Sequence, residues 1–422
     1  MSPVSTPPLD WLFLDLNSYF ASVEQQENPR LRGKPVAVVP VMTDYTCAIA
    51  ASNEAKVFGI KTGTMIRDAR IACPALVCVL ACHERYVRYH HRVIEEVEHH
   101  IPVHHVASID EMSCQLTGKW RQPEHALALA RQIKDGLRRN LGQCITCSVG
   151  LSTNRYLAKT ATDLQKPDGL VILHPDELPA RLLDLPLTDL CGIGRNMERR
   201  LAAAGITSFG KLWACAPKQL RAIWGSVQGE RFWHALRGTE IPDEETTRGS
   251  VGHSHVLAPA QRHPAAAEAV ARRLLLKASS RLRTLEHLTT SLVVSIRIEN
   301  GPRLETARRF PLADDSLTLQ EQFTLIWREL SPAIGNRRLL KVAVTLLGLT
   351  PRSNPVQLEL FTRKLPAGDL EKRERVSRTI DSLVARFGRN AVTIGIAPDE
   401  GTSFTGTKIA FTRVPGLGEF DH

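Results

Sequence analysis

Asp110 and Glu111 stand side by side in "HHVASIDEMSCQL", residues 104–116, whose other members read as a buried strand. Ionised carboxylates in an apolar strand are costly to bury unless a cation stands against them. Whatever this chain folds into must bring positive charge to that strand. Adjacent strand residues also face opposite sides of a sheet. Both carboxylates therefore reach one site only if the strand is irregular there, as at a hairpin tip, or if Glu111 approaches from the side.

A third carboxylate lies in "WLFLDLNSYFASVEQQ". The apolar strand Trp11 to Asp15 gives way to helical spacing at Phe20, Val23 and Glu24, so Asp15 sits at a strand end beside a helix start. "GKPVAVVPVM" and "YTCAIAAS" read as paired strands, and "SNEAKVFGIKTGTMIRDARIACP" as helix, Gly turn, helix. "HERYVRYHHRVIEEVEHHI" is an amphipathic helix stopped at Pro102. After the carboxylate strand comes a helix ended by Gly142, a strand in "CITCSVGLS", a helix in "NRYLAKTATDLQ" and a last strand from Gly169 to Leu173. The order strand, helix, strand, strand, helix, strand fits an α+β sheet of split-βαβ type, with Asp15 and Asp110 on neighbouring strands.

The 422 residues are enough for several domains. From about Pro179 to Gly238 the pattern is helical, and the acidic, turn-rich "GTEIPDEETTRGS" follows. Residues 251–350 read as a separate α+β domain with 14 Lys and Arg against 8 Asp and Glu, which carries +6 of the net charge of +10. That balance favours a polyanionic partner, nucleic acid first and an anionic membrane surface second. No apolar run approaches the roughly 18–20 residues of a membrane span, and "MSPVSTPPLD" lacks a signal-peptide pattern, so a cytoplasmic protein is expected. The nine cysteines are expected to be reduced: Cys144 and Cys147 lie three apart on a strand and face opposite sides. Six histidines between His90 and His105 are expected on a solvated helix face.

Asp15, Asp110 and Glu111 form an oxygen donor set of the kind magnesium takes together with substrate phosphates. Two such ions about 4 Å apart can hold the attacking and leaving oxygens of an in-line phosphoryl displacement. Lys159 and Lys166 are two helical turns apart on one face and could neutralise a triphosphate. In "LCGIGRNMERRLAAAGI" the Gly192-Ile193-Gly194 turn resembles that of a helix-hairpin-helix, whose exposed N–H groups can hold a DNA phosphate.

Taken together, "FLDLNSYFASVE", "EAKVFGIKTGT", "ASIDEMSCQLTG", "SVGLSTNRYLAKTATDLQKPDG" and "LCGIGRNMERRLAAAGITSFGKL" resemble the Y-family translesion DNA polymerases, closer to the UmuC-like than to the DinB-like branch. They occur in family order over residues 9–350. The resemblance implies a multidomain α+β right hand. Its parts are a split-βαβ palm (1–22 and 77–176), small fingers (23–76), a helix-hairpin-helix thumb (177–240), a linker (241–250), an α+β little finger (251–350), a second linker (351–376) and a C-terminal extension (377–422). By position, Asp15, Asp110, Glu111 and the Leu16 carbonyl match the metal ligands, for two magnesium ions or manganese. Phe20 matches the steric gate against ribonucleotides, and Tyr19, Phe20, Lys56 and Lys166 match dNTP contacts. DNA contacts are expected at Gly192, Ile193 and Gly194, and from Arg272, Arg273, Lys277 and Arg281 on the basic helix of the fourth domain.

The chain departs from the family at three positions. Asn17 stands where DinB-like members carry Asp, Asn53 where many carry a phosphate-binding Tyr, and Lys56 where many carry Arg. "QLELF" (Gln357, Leu358, Leu360 and Phe361) resembles the bacterial sliding-clamp peptide. Expected partners are thus primer–template DNA, dNTP and the clamp. The UmuC-like branch adds a UmuD-like subunit and a recombinase filament, and the expected setting is DNA damage tolerance in the SOS response, at the nucleoid. Three rival readings stand at this point: a catalytically silent scaffold, a nucleotide cyclase on a similar palm, and a non-enzymatic repair binder using the helix-hairpin-helix.

Overall fold

The computed structural model describes residues 8–242, 248–353, 367–388, 392, 394 and 414–416. They form two compact units: residues 8–242 with 414–416, and the described residues from 248 to 394.

The first unit contains, in order, β1 (Trp11–Leu16), α1 (Tyr19–Glu27), β2 (Val36–Val39), β3 (Ala50–Ala51), α2 (Asn53–Lys56), α3 (Ile66–Ala72), β4 (Val77–Leu80), α4 (His83–Glu98), β5 (His105–Val106), β6 (Glu111–Gln115), α5 (Pro123–Asn140), β7 (Cys147–Ser152), α6 (Arg155–Asp163) and β8 (Leu170–Ile172). Four helices follow: α7 (Arg195–Ala203), α8 (Phe209–Trp213), α9 (Pro217–Trp224) and α10 (Gln228–Leu236).

The large sheet has the order β5-β6-β1-β7-β8, so β1 is its central strand. All six residues of β1 are buried, which is why "WLFLDL" is apolar on both faces except at Asp15. Leu12 and Leu14 point into a core closed by α4 and α5, and each buried leucine contributes about 1.5–3 kcal/mol. On β7, Gly150 lets α6 approach the sheet: a Cβ there would run into the Ala158 carbonyl. That close approach lowers Lys159 toward the end of β1. Val414, among the described residues 414–416, packs against the same core.

The expected single strand around Asp110 is instead a hairpin. The Ala107 and Ser108 N–H groups both bond the Glu111 carbonyl, so Asp110 lies in the turn and Glu111 opens β6. This is the irregularity the paired carboxylates required. A second sheet, β3-β2-β4, carries its own small core of Ala37, Val39, Ile60 and Ile66. Val77–Leu80 pairs in parallel with β2, so it belongs to this small sheet, although residue 77 was expected to open the return to the large one. Likewise Val23 of α1, expected to open the fingers, lies in the large core beside Ala21. The helices α7–α10 close over Leu201, Phe209, Leu220 and Phe232.

The second unit contains β9 (Ser250–Val256), α11 (Pro264–Thr284), β10 (His287–Ile298), β11 (Arg303–Ala313), α12 (Ser316–Ile334), β12 (Leu339–Leu347), β13 (Thr350–Pro351) and α13 (Ala367–Phe387). Its sheet has the order β11-β10-β12-β9. Leu292, Val294, Ile296, Val342 and Val344 face α11 and α12, leaving the other face open. Strands β9 and β11 were missed in the sequence, where polar residues at alternate positions dilute the apolar signal. Helix α13 starts inside the expected linker and crosses its boundary at 376. It is fastened by the Arg283–Asp381 pair at 2.6 Å and by the Ser316 N–H to Ser377 Oγ bond at 3.0 Å.

Candidate active site

The end of β1 meets the hairpin tip and α6 at one point. Asp15 is level with Glu111 on β6 and with Ser148 on β7, and the Leu16 N–H bonds the Asp110 carbonyl at 2.8 Å. Asp15 is only 5% exposed. The Lys159 ammonium pairs with Asp15, lies 2.9 Å from Glu111 Oε1 and 3.6 Å from Asp163. Lys166 reaches Asp15 and Asp163 at 2.7 Å each. Asp110 is held in its turn by the Ser108 hydroxyl, which donates to its carboxylate.

The electrostatics follow from this packing. Burial raises the Asp15 carboxyl, but Lys159 and then Lys166 outweigh it and hold the group below its usual range. Burial pushes Asp110 up, against the Ser108 hydroxyl and with help from the Asp15 charge. Burial also pushes Glu111 up, against the pull of Lys159. Burial depresses the Lys159 and Lys166 ammonium groups, but the Asp15 charge reverses this and holds both above their usual range. Lys56 on α2 is shifted down by desolvation and by the charge of Lys166, so all three lysines share one field.

Among the described residues, no three His, Cys, Asp or Glu side chains converge closely enough to hold a metal ion by themselves. The Lys159 ammonium lies between Asp15 and Glu111 and balances their charge. The donors nonetheless suit a hard divalent cation: oxygens only, two of the carboxylates being groups whose burial the lysines leave uncompensated.

The expected gate residue Phe20 is half-buried on the first turn of α1. Its ring stacks on Tyr86, with centroids 4.2 Å apart and planes 12° from parallel. Tyr86 is fully buried, donates to Glu24 Oε1 at 2.8 Å and accepts from the Cys82 N–H at 3.2 Å, so Phe20 leans on a fixed plate. Tyr19 was expected at the nucleotide, but its side chain is buried and its hydroxyl donates to the Tyr86 carbonyl at 2.7 Å. Ser18, with φ of +49°, donates to Asn53 Oδ1 at 2.9 Å and links the β1–α1 turn to α2.

One member of the histidine cluster has a place that its sequence did not disclose. His90 is 2% exposed, and its Nδ1 meets the Ile109 carbonyl at 2.7 Å, one residue before Asp110. Burial holds this imidazole below its ordinary 6.5, so it is neutral and donates. The unfolded chain binds a proton that the folded protein refuses. Stability is therefore complete above about pH 6.5 and falls as pH drops below it. Thermal melts at pH 7 and pH 5 should show this loss in the wild type and a smaller loss in His90→Asn, which keeps a donor near the Nδ1 position.

The two candidate DNA surfaces come out differently. In the α7–α10 region, Ile193 is buried and pins its turn, while Gly192 and Gly194 are exposed and a Cβ on either would meet open space. Gly192 has φ of +90°, which favours glycine, and Gly194 caps α7 without a side chain. In the second unit, Arg272 is not turned out from α11. It donates to Glu268, Gln320 and Thr324, and its guanidinium lies 4.9 Å from the Phe323 ring centre. Arg273, Lys277 and Arg281 on the same helix are also engaged. The open sheet face was not singled out in the sequence. There Arg297, Arg303 and Lys341 are exposed and in register across β11, β10 and β12; the next row is Glu305, Ser295 and Ala343, and Arg303 pairs with Glu305 and donates to Ser295 Oγ at 2.7 Å. The alternation in "SLVVSIRI" and "RLETARRF" was the available signal. Gln357, Leu358, Leu360 and Phe361 lie outside the described residues.

Comparison with known proteins identifies this arrangement. The model of the impB/mucB/samB family matches residues 14–163, the DNA polymerase-iota thumb domain matches 188–240, and the impB/mucB/samB C-terminal domain matches 248–360. The chain is 32% identical over 392 residues to DNA polymerase IV of Moorella thermoacetica, covering 90% of this chain and 94% of that protein. DNA polymerase IV 1 of Bacillus subtilis is 27% identical over 410 residues, with 93% and 95% covered. Among solved structures, a Y-family chimera described as Dbh-Dpo4(243-245)-Dbh superposes with a TM-score of 0.67 at 25% identity, covering 81% of this chain and 99% of that one. An insertion ternary complex of Dbh DNA polymerase superposes at 0.52, with the same identity and coverage. With the fold, the ordered family matches and near-complete coverage of a relative in agreement, this chain belongs to the Y family of translesion DNA polymerases and is a DNA-directed DNA polymerase.

Proposed function

We propose that Asp15, Asp110, Glu111 and the Leu16 carbonyl hold two magnesium ions at the end of β1, and that Lys56, Lys159 and Lys166 receive the dNTP triphosphate. The observation that carries this reading is that Lys159 and Lys166 both pair with Asp15 at the end of β1, Lys166 at 2.7 Å, with Glu111 in register beside Asp15 and Asp110 in the adjoining turn. The bound ions would supply Lewis-acid activation of the primer hydroxyl and neutralise charge on the leaving phosphates. The chain's own residues orient the reactants. The lysines draw the β- and γ-phosphates toward α2 and α6, and Phe20 packs against the sugar and excludes a 2′-OH. The primer 3′-oxygen forms a bond to the α-phosphorus and passes its proton to solvent water, while the bond from the α-phosphorus to the bridging oxygen breaks and pyrophosphate leaves.

In this reading the large sheet is the palm, the β3-β2-β4 sheet the fingers, α7–α10 the thumb and β9–β13 the little finger. The Gly192–Gly194 turn and the open face bearing Arg297, Arg303 and Lys341 grip the duplex through phosphates, so binding weakens steeply with salt. Primer extension with magnesium tests the reading. Template-directed addition that ceases with a chelator is expected; addition that ignores the template, or survives the chelator, contradicts it.

The partner assignments rest on sequence. Gln357, Leu358, Leu360 and Phe361 would dock in an apolar groove of the sliding clamp. Gln357→Ala/Leu360→Ala/Phe361→Ala should lower clamp affinity at least about tenfold and leave clamp-free extension unchanged, as a pull-down beside an extension assay would report. The UmuC-like branch, with a UmuD-like subunit and a recombinase filament, rests on resemblance and on Asn17. Among the described residues no helix is long and apolar enough to cross a membrane. Acting on damaged chromosomal DNA in the SOS response, the enzyme works in the cytoplasm at the nucleoid.

A further inference from the structure

Asn17 is 3% exposed, two residues beyond Asp15, and the chemistry above leaves its side chain unused. Its amide is nonetheless committed on both ends. Nδ2 donates to Ser148 Oγ on β7 at 3.0 Å, while Oδ1 accepts from the Asp168 N–H at 2.8 Å and the Thr146 hydroxyl at 3.4 Å. Asp168 lies in the turn between α6 and β8 and takes φ of +60°, where Asp is better tolerated than most residues. Other side chains hold the same turn. Ser148 Oγ accepts from the Gly169 N–H at 3.3 Å, and Lys134 Nζ donates to the Asp168 and Gly169 carbonyls at 2.5 and 2.9 Å. Arg138 pairs with the Asp168 carboxylate. Lys166 stands two residues before Asp168 in this turn. Asn17 therefore joins the backbone that carries Lys166 to the strand end that carries Asp15.

We propose that Asn17 is a positioning residue for nucleotide binding: its amide oxygen holds the Asp168 N–H and so fixes the backbone from which Lys166 meets the triphosphate. The inference rests on the reading of Lys166 as a triphosphate contact. A lysine ammonium on a flexible stem is concentrated at a phosphate only as well as its backbone is fixed. The acceptor oxygen is the necessary part. Aspartate at this position would keep it, and the Ser148 hydroxyl could turn to donate to the second oxygen.

The test is a double-mutant cycle in dNTP insertion kinetics: wild type, Asn17→Ala, Lys166→Ala and the double variant, with thermal melts alongside. Lys166→Ala should raise the KM for dNTP. Asn17→Ala should raise it about tenfold with kcat within about threefold, and should add less than about twofold in the Lys166→Ala background. Asn17→Asp should keep KM within about threefold of wild type, and it decides the matter alone if Asn17→Ala does not fold. An unchanged KM in Asn17→Ala, additive effects in the double variant, or a tenfold rise in Asn17→Asp overturns the inference while Lys166 keeps its role. An unchanged KM in Lys166→Ala overturns both.

Discussion

Primer extension by Asp110→Ala/Glu111→Ala should fall at least about 1,000-fold, equivalent to roughly 4 kcal/mol of barrier, while the protein stays folded. The two halves of this expectation have one cause. Both carboxyls are held above their usual range because burial penalises their charge more than their neighbours relieve it. In the protein alone these groups are therefore a burden. Removing them spares the fold a desolvation cost, and Lys159 keeps its pairs with Asp15 and Asp163. The melting temperature should hold or rise as synthesis disappears. A destabilised carboxylate pair retained at a strand end is what a cation-dependent site requires, and a scaffold would have no use for it. Extension rates and melts on the same preparation check both halves. A variant that extends at the wild-type rate removes Asp110 and Glu111 from the site, and one that fails to fold assigns them to structure.

The second large effect is on sugar choice. Phe20→Ala should cut discrimination against ribonucleotides by about 100-fold, a loss of roughly 3 kcal/mol. Phe20 can act as a gate because it is backed. Its ring lies flat on Tyr86, whose hydroxyl is fixed by Glu24, and Arg85 holds Glu24 at 2.6 Å. A ring that could swing aside would admit the 2′-OH at little cost. Insertion kinetics with paired dNTP and rNTP substrates measure the ratio, and an unchanged ratio would remove Phe20 from sugar selection.

That Asp15 and the Asp110–Glu111 pair belong to neighbouring strands with cations against them was legible in the sequence, because burying charge in an apolar strand has few solutions. The requirement that the chain bend near Asp110 followed from strand geometry, and the bend is the β5–β6 turn. What stayed hidden depends on polar contacts between distant residues. Asn17 and Ser148 are 131 residues apart, and a hydrogen bond across that span leaves no periodic mark in either segment. His90 was hidden in a run of histidines whose spacing argued for solvent. Arg272 misled in the opposite direction: a basic helix suggested a phosphate surface, but Gln320 and Thr324 of α12 take up its donors. The exposed cations in register are on the strands, where Arg303 is paired with Glu305, and the alternation of "SLVVSIRI" was a signal of that face the sequence reading did not use. Nor did composition reveal α13, which is held by single pairs such as Arg283–Asp381 rather than by a strong apolar stripe.

The claim on which all of this turns is that the end of β1 is a divalent-cation site. Manganese binding, followed by electron paramagnetic resonance on the complex with primer–template and a non-hydrolysable dNTP, tests it without relying on catalysis. The wild type should bind about two ions per enzyme and Asp15→Asn at most about one, the ion that arrives with the nucleotide. Equal stoichiometry in the two proteins would contradict the account.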